Sequence, residues 1–402
     1  MRDALASFEI AWKTVNETYF DPTFGGVDWQ AVHDRYRPQI AAAQTAAAES
    51  DETFYRLLNQ MLYELEVSHI GALPPWWMLE RWFSPHDYGQ GSMGVDVRWL
   101  EEQAVVTSVA PGEPAQEAGL RAGAVLHSID DVAVQEIAEG TPLRPPYNAR
   151  NRRNQVATEI ARRLYGPPGT QVSLRTTTHG SEPTIVSVRR AERHGGRPLY
   201  EGAPPAYFRV ASRRLEEQIG YLYLSAFQWP LADSVRQAID ALRDVPALVV
   251  DVRGNSGGDF DLFLGKFFEA PASCLRVQTR EGGAEITIEP EEDPYRGRVA
   301  VLVDEVSVSA AELFAAAMQT TGRGVVVGDR SPGVALGTQF AQLPNGAMFV
   351  YPDRQYRMMD GTVLEGRGVV PDVEVSLERE RLLQGIDSQL QAAIRSIRGE
   401  AD

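Results

Sequence analysis

The chain has 402 residues, a formal net charge of −16 and a single cysteine, Cys274. This length allows about two to four domains around a large apolar core. The negative charge argues against nucleic acid or an anionic membrane as a partner, no apolar run reaches the length of a membrane span, and one cysteine excludes a disulfide framework or a cysteine-rich metal site.

The first 87 residues show the apolar spacing of helices. One predicted helix carries Phe8 to Tyr19, a second begins after the capping residue Asp28, and a third runs from Glu52 to about Leu65. Ser68-His69 follow the third helix. Trp76-Trp77 lie in a stiff, proline-rich loop that either walls a cleft or anchors the loop to the core.

Residues 88 to 192 carry the short alternating strands of a small β-rich module. Strands are predicted near Gly94–Trp99 and Ala104–Val109, and a helix from Asn154 to Leu164. The stretch from Val109 to Asp131, with its Ala-Pro-Gly-Glu-Pro and Leu-Arg-Ala-Gly turns, resembles a PDZ domain. The resemblance implies a groove in which a peptide C-terminus adds a strand to the sheet. The carboxylate-binding loop is then expected at Ser92, Met93, Gly94 and Val95.

A polar stretch, residues 193 to 218, is expected to be a linker to an α/β core that spans 219 to 402. The core elements are predicted as buried strands at Ile219–Leu224, Ala247–Val252, Arg298–Val303 and Val325–Gly328, helices at Leu231–Leu242 and Phe260–Phe268, and a hairpin around Asn345-Gly346. This order predicts a mixed sheet with right-handed crossovers. Because ligands meet the turns at the carboxyl ends of such strands, we expect Gly257, Gly258 and Ser309 to face one cleft. The fold class is therefore α/β within an α+β multidomain chain.

Ser309 stands between a buried strand and an apolar helix, and two interpretations of it are open. With Glu312 three residues later it has the sequence of a capping box, which is a structural role. The free N–H groups and positive dipole end of the helix also lie beside it, and these suit a nucleophile.

Three stretches together resemble the tail-specific, or C-terminal processing, serine protease family. They are Asp251-Val-Arg-Gly-Asn-Ser-Gly-Gly258, Ser307-Val-Ser-Ala-Ala-Glu312 and Gly366-Arg-Gly-Val-Val-Pro-Asp372. The resemblance covers nearly the whole chain, from a helical start through a PDZ module to a protease core. It implies that the middle serine of the second stretch, Ser309, is the nucleophile.

The chain departs from the most familiar branch of that family, which pairs the nucleophile with a lysine in a Gly-Lys dipeptide. The corresponding place here is Gly333-Val334, and the only lysines are Lys13 and Lys266, neither of which matches. A serine needs a base within hydrogen-bond reach. We therefore reject a Ser–Lys dyad for this chain.

A tricorn-like branch of the same family supplies the alternative. The resemblance implies that His69 takes the proton of Ser309, Ser68 orients the imidazole, and Glu365 orients Ser68. His86 is the competing histidine, and Glu365 alone has a second interpretation as a solvated turn carboxylate. The expected oxyanion donors are the backbone N–H of Ala310 and that of Gly257 or Gly258.

The sequence thus predicts a serine endopeptidase that acts through an acyl-enzyme on polypeptides whose C-terminal tails the PDZ-like module selects. The alternative is a catalytically inactive peptide-binding relative. No histidine pair has metal-ligand spacing, so we expect no metal or other cofactor. The start at Met1 shows no signal peptide and favours the cytoplasm, whereas the resemblance favours an exported protein with a trimmed leader. The oligomeric state does not follow from the sequence.

Overall fold

A computed structural model describes residues 3–45, 51–74, 85–178, 180, 182–198, 205–215 and 218–400. Near the N-terminus, three helices pack on one another. They are α1 (Ala4–Thr18), α2 (Trp29–Thr45) and α3 (Asp51–Tyr63). Asp28 accepts the Ala31 N–H at 2.9 Å, so the predicted cap of α2 is confirmed. The short strand β1 (Gly71–Leu73) then leaves the helices and joins a sheet of the core. Trp76-Trp77 lie outside the described residues.

The β-rich module is a curled sheet closed by helices. Its strands are β2 (Gly91–Ser92), β3 (Val95–Leu100), β4 (Gln103–Val109), β5 (Val125–Ile129), β6 (Val132–Ala133), β7 (Gln171–Thr177), β8 (Thr184–Arg189) and β9 (Ala191–Glu192). Its helices are α4 (Pro85–Tyr88), α5 (Pro114–Glu117), α6 (Val134–Gly140) and α7 (Ala149–Leu164). The main sheet has the order β3-β4-β5-β7-β8, and Met93, Trp99, Leu126 and Ile160 are buried in its core.

A separate two-stranded sheet of β10 (Arg197–Pro198) and β11 (Pro205–Ala206) precedes the C-terminal core. The core is built on two sheets. Its strands are β12 (Val210–Arg214), β13 (Ile219–Leu224), β14 (Ala247–Asp251), β15 (Ala272–Thr279), β16 (Gly282–Ile288), β17 (Arg298–Val303), β18 (Gly324–Gly328), β19 (Leu336–Gln342), β20 (Met348–Met358) and β21 (Val373–Glu374). Its helices are α8 (Ala232–Ala241), α9 (Ala310–Thr320), α10 (Arg379–Leu383) and α11 (Ser388–Arg398).

One core sheet is mixed, as predicted, with the order β12-β13-β14-β17-β18-β21. Only the edge strand β12 runs antiparallel to its neighbour. The central strands are buried on both faces: Val250 and Val301 pack towards α9, whereas Val249 and Leu302 pack towards α11. This explains why they appear in the sequence as continuous apolar runs. The second sheet has the order β1-β20-β15-β16, and β19 pairs with β20.

Two expectations about this region are corrected. The helix predicted over Phe260–Phe268 is absent, and only a 3₁₀ turn forms at Leu264–Phe267. Gly265 there packs so closely on the backbone of Glu289 that a Cβ would lie 2.5 Å from its carbonyl oxygen. The apolar run is buried by this tight packing rather than by one helical face, and apolar content alone does not distinguish the two.

The stretch expected to be a linker, residues 193 to 218, also differs from the prediction. Its segment Val210–Arg214 is a strand of the mixed core sheet, paired with Ile219–Leu224. An edge strand faces solvent on much of its surface and tolerates polar and charged residues. The serine and arginines of this segment therefore disguised a strand as a linker.

Candidate active site

The parallel pairing of β14 with β17 brings two turns together at the carboxyl end of the sheet. The Val308 N–H donates to the Asn255 carbonyl at 3.1 Å and ties the turns to each other. Gly257 has φ +92°, and a Cβ on it would lie 2.8 Å from the Ser309 Cβ and 3.2 Å from the Ser309 Oγ. Glycine at this position is therefore required by its backbone conformation and by its approach to the serine.

Ser309 immediately precedes α9 in a strained backbone conformation, with φ 56° and ψ −117°. A non-glycine residue with positive φ costs about 1–3 kcal/mol and persists only where its surroundings impose it. Here the Ser309 N–H donates to the Val334 carbonyl at 2.8 Å and also approaches the Glu312 carboxylate at 3.2 Å. These bonds fix the turn that presents the serine.

Glu312 is fully buried and organises the loop beside the serine. It accepts hydrogen bonds from the Ser331 hydroxyl at 2.7 Å, the Gly333 N–H at 2.7 Å and the Val334 N–H at 2.8 Å. Burial raises the pKa of its carboxyl to about 7 despite these donors. Glu312, the capping residue that follows Ser309, thus also holds the Gly333-Val334 loop. Val334 stands there at the place where the familiar branch of the family carries a lysine.

A relay of hydrogen bonds runs from Glu365 to His69. Glu365 accepts the Ser68 N–H at 2.6 Å, the Ser68 Oγ–H at 2.9 Å and the Ala335 N–H at 2.9 Å, although Ser68 and Glu365 are 297 positions apart. The Ser68 Oγ lies 2.8 Å from the His69 Nδ1. Because the single hydroxyl hydrogen of Ser68 points to Glu365, the Nδ1 must carry the proton of the imidazole. The Nε2 is then left free to accept one.

The electrostatics of this relay favour a neutral base. Burial lowers the pKa of His69 to about 4, so the imidazole is unprotonated at neutral pH. Burial also raises the pKa of Glu365 to about 7, against the lowering effect of its three hydrogen-bond donors. Glu365 accepts all three hydrogen bonds only when its carboxyl is ionised, and this carboxyl ionises close to neutral pH.

Ser309, His69 and Ser68 line one cavity of about 510 Å³, and Val334 lines it beside them. No hydrogen bond joins the Ser309 Oγ to the His69 ring in this structure, although both residues are described. Catalytic hydrogen bonds of unliganded enzymes are often long and tighten only around substrate. The structure thus brings His69 and Ser309 to one cavity without a hydrogen bond between them.

Both lysines are engaged away from this cavity. Lys266 is buried, and its ammonium contacts the Asp240 carboxylate at 3.1 Å and the Glu292 carbonyl at 2.8 Å. Lys13 pairs with Glu17 on the surface of α1. Neither lines the cavity, so no amine stands beside Ser309 among the residues that form it.

The competing histidine also lies elsewhere. The Nδ1 of His86 is 2.9 Å from the Tyr165 hydroxyl and 3.5 Å from the Asp96 carboxylate, inside the β-rich module. His86 does not line the cavity. Its contacts give it a structural role within the β-rich module.

The predicted oxyanion donors differ in availability. The Gly257 N–H already donates to the Asn255 Oδ1 at 2.9 Å, and its carbonyl accepts the Phe227 N–H at 2.8 Å. Gly258 lines the cavity. Within the described ranges, neither its N–H nor that of Ala310 donates a hydrogen bond, so these two are the available donors.

Sequence reasoning missed two contacts by which the β-rich module reaches the site. Arg98 of β3 forms a buried ion pair with Asp304, at 2.7 Å and with 7% and 1% of the two residues exposed. Asp304 also accepts the Gly254 N–H at 3.0 Å. Burial opposes its ionisation, but the charge and hydrogen bond of Arg98 outweigh burial and lower the pKa of Asp304. No local signal marks Arg98, because its partner lies in another module.

The second contact comes from Asn148, the N-cap of α7. Its Oδ1 accepts the Asn151 N–H at 2.9 Å, as a cap does. Its Nδ2 donates to the Pro332 carbonyl at 3.0 Å and to the Gly366 carbonyl at 3.2 Å. The loop before Val334 and the residue after Glu365 are thus both attached to the β-rich module.

The predicted carboxylate-binding loop lies away from the cavity. Ser92 accepts the Gly94 N–H at 3.0 Å through its hydroxyl, the Met93 side chain is buried, and Val95 begins β3 opposite Val109. The Met93 and Gly94 carbonyls accept backbone N–H groups of the neighbouring turn. A peptide carboxylate would have to displace the hydroxyl of Ser92 from the Gly94 amide.

Two walls of different chemistry complete the cavity. Helix α7 contributes the polar side chains Asn151, Asn154, Gln155, Thr158, Glu159 and Arg162. Strand β19 contributes Thr338 and Phe340. Among the described residues, no group of three or more His, Cys, Asp or Glu side chains is arranged to hold a metal ion. In the same part of the chain, no helix has the length and apolarity needed to cross a bilayer.

Comparison with protein families matches each part of the chain separately. Residues 218–375 match peptidase family S41, residues 3–63 match the tricorn protease C1 domain, and residues 91–157 match the PDZ domain. The helical start, the β-rich module and the core carrying Ser309 therefore each correspond to one of these family models.

Two curated relatives align with most of this chain. The carboxyl-terminal-processing protease of Synechocystis sp. is 25% identical over 408 residues, covering 97% of this chain and 86% of the relative. The chloroplastic carboxyl-terminal-processing peptidase 2 of Arabidopsis thaliana is 26% identical, covering 91% and 67%. The solved photosystem II D1 C-terminal processing protease shares the fold, with a TM-score of 0.59, 21% identity and 96% and 97% coverage.

Proposed function

The chain belongs to the PDZ-containing carboxyl-terminal processing proteases of peptidase family S41, and from this premise we propose that it hydrolyses polypeptides through an acyl-enzyme on Ser309. It is a serine peptidase, and the inactive peptide-binding alternative has no support among its relatives. The observation that carries the proposal is the relay from Glu365 through Ser68 to His69, which leaves the His69 Nε2 unprotonated in the cavity that Ser309 lines.

In the proposed reaction, the Ser309 Oγ attacks the scissile carbonyl while the His69 Nε2 takes its proton. The imidazolium that forms is buried, and the charge of Glu365, transmitted through the Ser68 hydroxyl, stabilises it. The imidazolium then protonates the leaving amine as the acyl-enzyme forms. Water, deprotonated by His69, hydrolyses the ester and regenerates Ser309.

We assign the developing oxyanion to the backbone N–H groups of Gly258 and Ala310. Both are unengaged, and Ala310 begins α9, where the helix dipole favours negative charge. Gly257 takes a different part: its missing side chain makes room for Ser309, and its own N–H holds Asn255 in place. Substrate closure around these groups is expected to bring the Ser309 Oγ within hydrogen-bond reach of His69.

The substrates are proposed to be polypeptides with exposed C-terminal tails. A PDZ fold binds such tails by strand addition, and the match over residues 91–157 supports this mode for the loop Ser92–Val95. The tail would replace the Ser92 hydroxyl on the Gly94 N–H. The module is attached to the core beside the site, through Arg98 and Asn148. Through these contacts, binding of a tail to the module would change the position of the loops around Ser309.

An active-site-directed fluorophosphonate tests the nucleophile. The wild type should be labelled and should cleave an unstructured polypeptide, whereas Ser309→Ala should do neither. Ser256→Ala is the matched control, because Ser256 lines the same cavity and its variant should label normally. Absence of wild-type labelling, or equal labelling of Ser309→Ala, contradicts the proposal.

A further inference from the structure

Strand β19 (Leu336–Gln342) is an open edge beside the catalytic residues. It pairs with β20 on one side, and no other described strand pairs with it. Backbone groups of a strand point alternately to its two edges, so about half of those in β19 face away from β20. Such an edge is a template for another extended chain.

The edge begins at the reacting groups themselves. Val334 accepts the Ser309 N–H at 2.8 Å, and the next residue, Ala335, donates to Glu365 at 2.9 Å. β19 starts at the following residue. A chain lying along this edge would therefore have one end at the nucleophile.

The alternation of side chains along β19 decides which of them face the cavity. Thr338 and Phe340, two residues apart, line the cavity, whereas Ala341 packs with the N-terminal helices. The register shift beside Gly337 and Thr338 places its extra residue on β20, so β19 itself continues without an insertion. The strand thus presents an aromatic ring to the cavity, and Phe340 is 52% exposed.

We propose that the polypeptide substrate binds as an added strand on the free edge of β19 and places an apolar side chain on Phe340. The proposal rests on the proposed function and names the substrate conformation and a specificity-determining residue. From Ala335 to Phe340 is five residues, or about 17 Å of strand. The apolar side chain therefore belongs about five residues from the scissile bond. The polar side chains of α7 line the opposite wall of the cavity. We therefore expect a preference for an apolar substrate side chain only at the position that contacts Phe340.

The first test compares Phe340→Ala with wild type on two fluorogenic peptides. One spans eight residues on each side of the scissile bond, and the other spans two. The variant should lose at least about tenfold in kcat/KM on the long peptide, nothing on the short one, and keep its fluorophosphonate labelling rate. Ile185→Ala removes another exposed apolar side chain, on β8 and away from the cavity, and should behave as wild type. Equal losses on both peptides, or no loss on either, overturn the assignment of Phe340.

The second test scans N-methylation along the long peptide with the wild-type enzyme. Strand addition predicts that kcat/KM falls at every second residue on one side of the scissile bond, because alternate amides donate to the β19 edge. A flat or irregular profile overturns the strand addition. An enzyme that neither labels nor cleaves contradicts the proposed function instead, so the two failures are distinct.

Discussion

Replacing Glu365 by glutamine tests the proton relay most directly. The change preserves size and removes the charge of a side chain that accepts three hydrogen bonds: two from Ser68 and one from the Ala335 N–H. An amide offers only one oxygen. One orientation sets its NH₂ against the Ser68 N–H, and the other sets it against the Ala335 N–H and the Ser68 hydroxyl.

Each orientation has a consequence that follows from the structure. A buried N–H left without an acceptor costs about 1–3 kcal/mol of unfolding free energy. In the second orientation the amide NH₂ faces the Ser68 hydroxyl, which accepts from it and donates to the His69 Nδ1. The imidazole proton then lies on Nε2, and the base is lost. Loss of the correct tautomer in a serine triad lowers kcat by roughly 10⁴. Both orientations remove the charge that stabilises the imidazolium, and the second also removes the base. We therefore expect kcat of Glu365→Gln to fall by about 10³–10⁴ with KM little changed.

The assay is steady-state cleavage of a fluorogenic peptide between pH 5 and 9, with urea unfolding as a check on folding. The pKa of Glu365 is raised to about 7, so wild-type kcat/KM should fall as the pH drops through about 7, when the carboxyl gains a proton. The glutamine variant should lack that limb. Glu374→Gln, at an exposed carboxylate of β21, is the control and should match wild type. A Glu365→Gln variant that keeps more than about a tenth of wild-type kcat would refute the relay.

Three further substitutions examine the surroundings of the site. Gly257→Ala should fold but lose fluorophosphonate labelling, because the added Cβ would lie 2.8 Å from the Cβ of Ser309; normal labelling would show that the approach is not needed. Arg98→Met should lower the urea-unfolding free energy by about 3–5 kcal/mol, because it leaves Asp304 buried and unpaired. Adding Asp304→Asn should recover part of that loss, and strict additivity would contradict the ion pair. Lys266→Met should leave kcat/KM within about twofold of wild type while lowering stability, since its partners are structural; a loss of several orders of magnitude would reinstate a lysine base.

Much of the fold was predictable because it depends on neighbours in the sequence. The apolar runs of β14 and β17, the cap of α2 and the turn at Asn345-Gly346 each reflect local pattern or local hydrogen bonding. The failures came where composition misrepresented the backbone. Phe260–Phe268 is apolar because it is packed on all sides, and Val210–Arg214 is polar because it is an edge strand.

For the site, the residues alone indicated a serine at a strand-to-helix turn, a glycine turn to accompany it, and the lack of a lysine at the place where the familiar branch of the family carries one. The resemblance implied that Glu365 orients Ser68. The hydrogen bonds between these residues, 297 positions apart, and hence the nitrogen of His69 that is free, follow from the packing of distant segments. The tertiary structure alone showed that the Gly257 N–H is already engaged and that Arg98 reaches Asp304. Turns and caps are set by hydrogen bonds within a few residues, whereas a relay, a buried ion pair and an open strand edge exist only once distant segments have packed together.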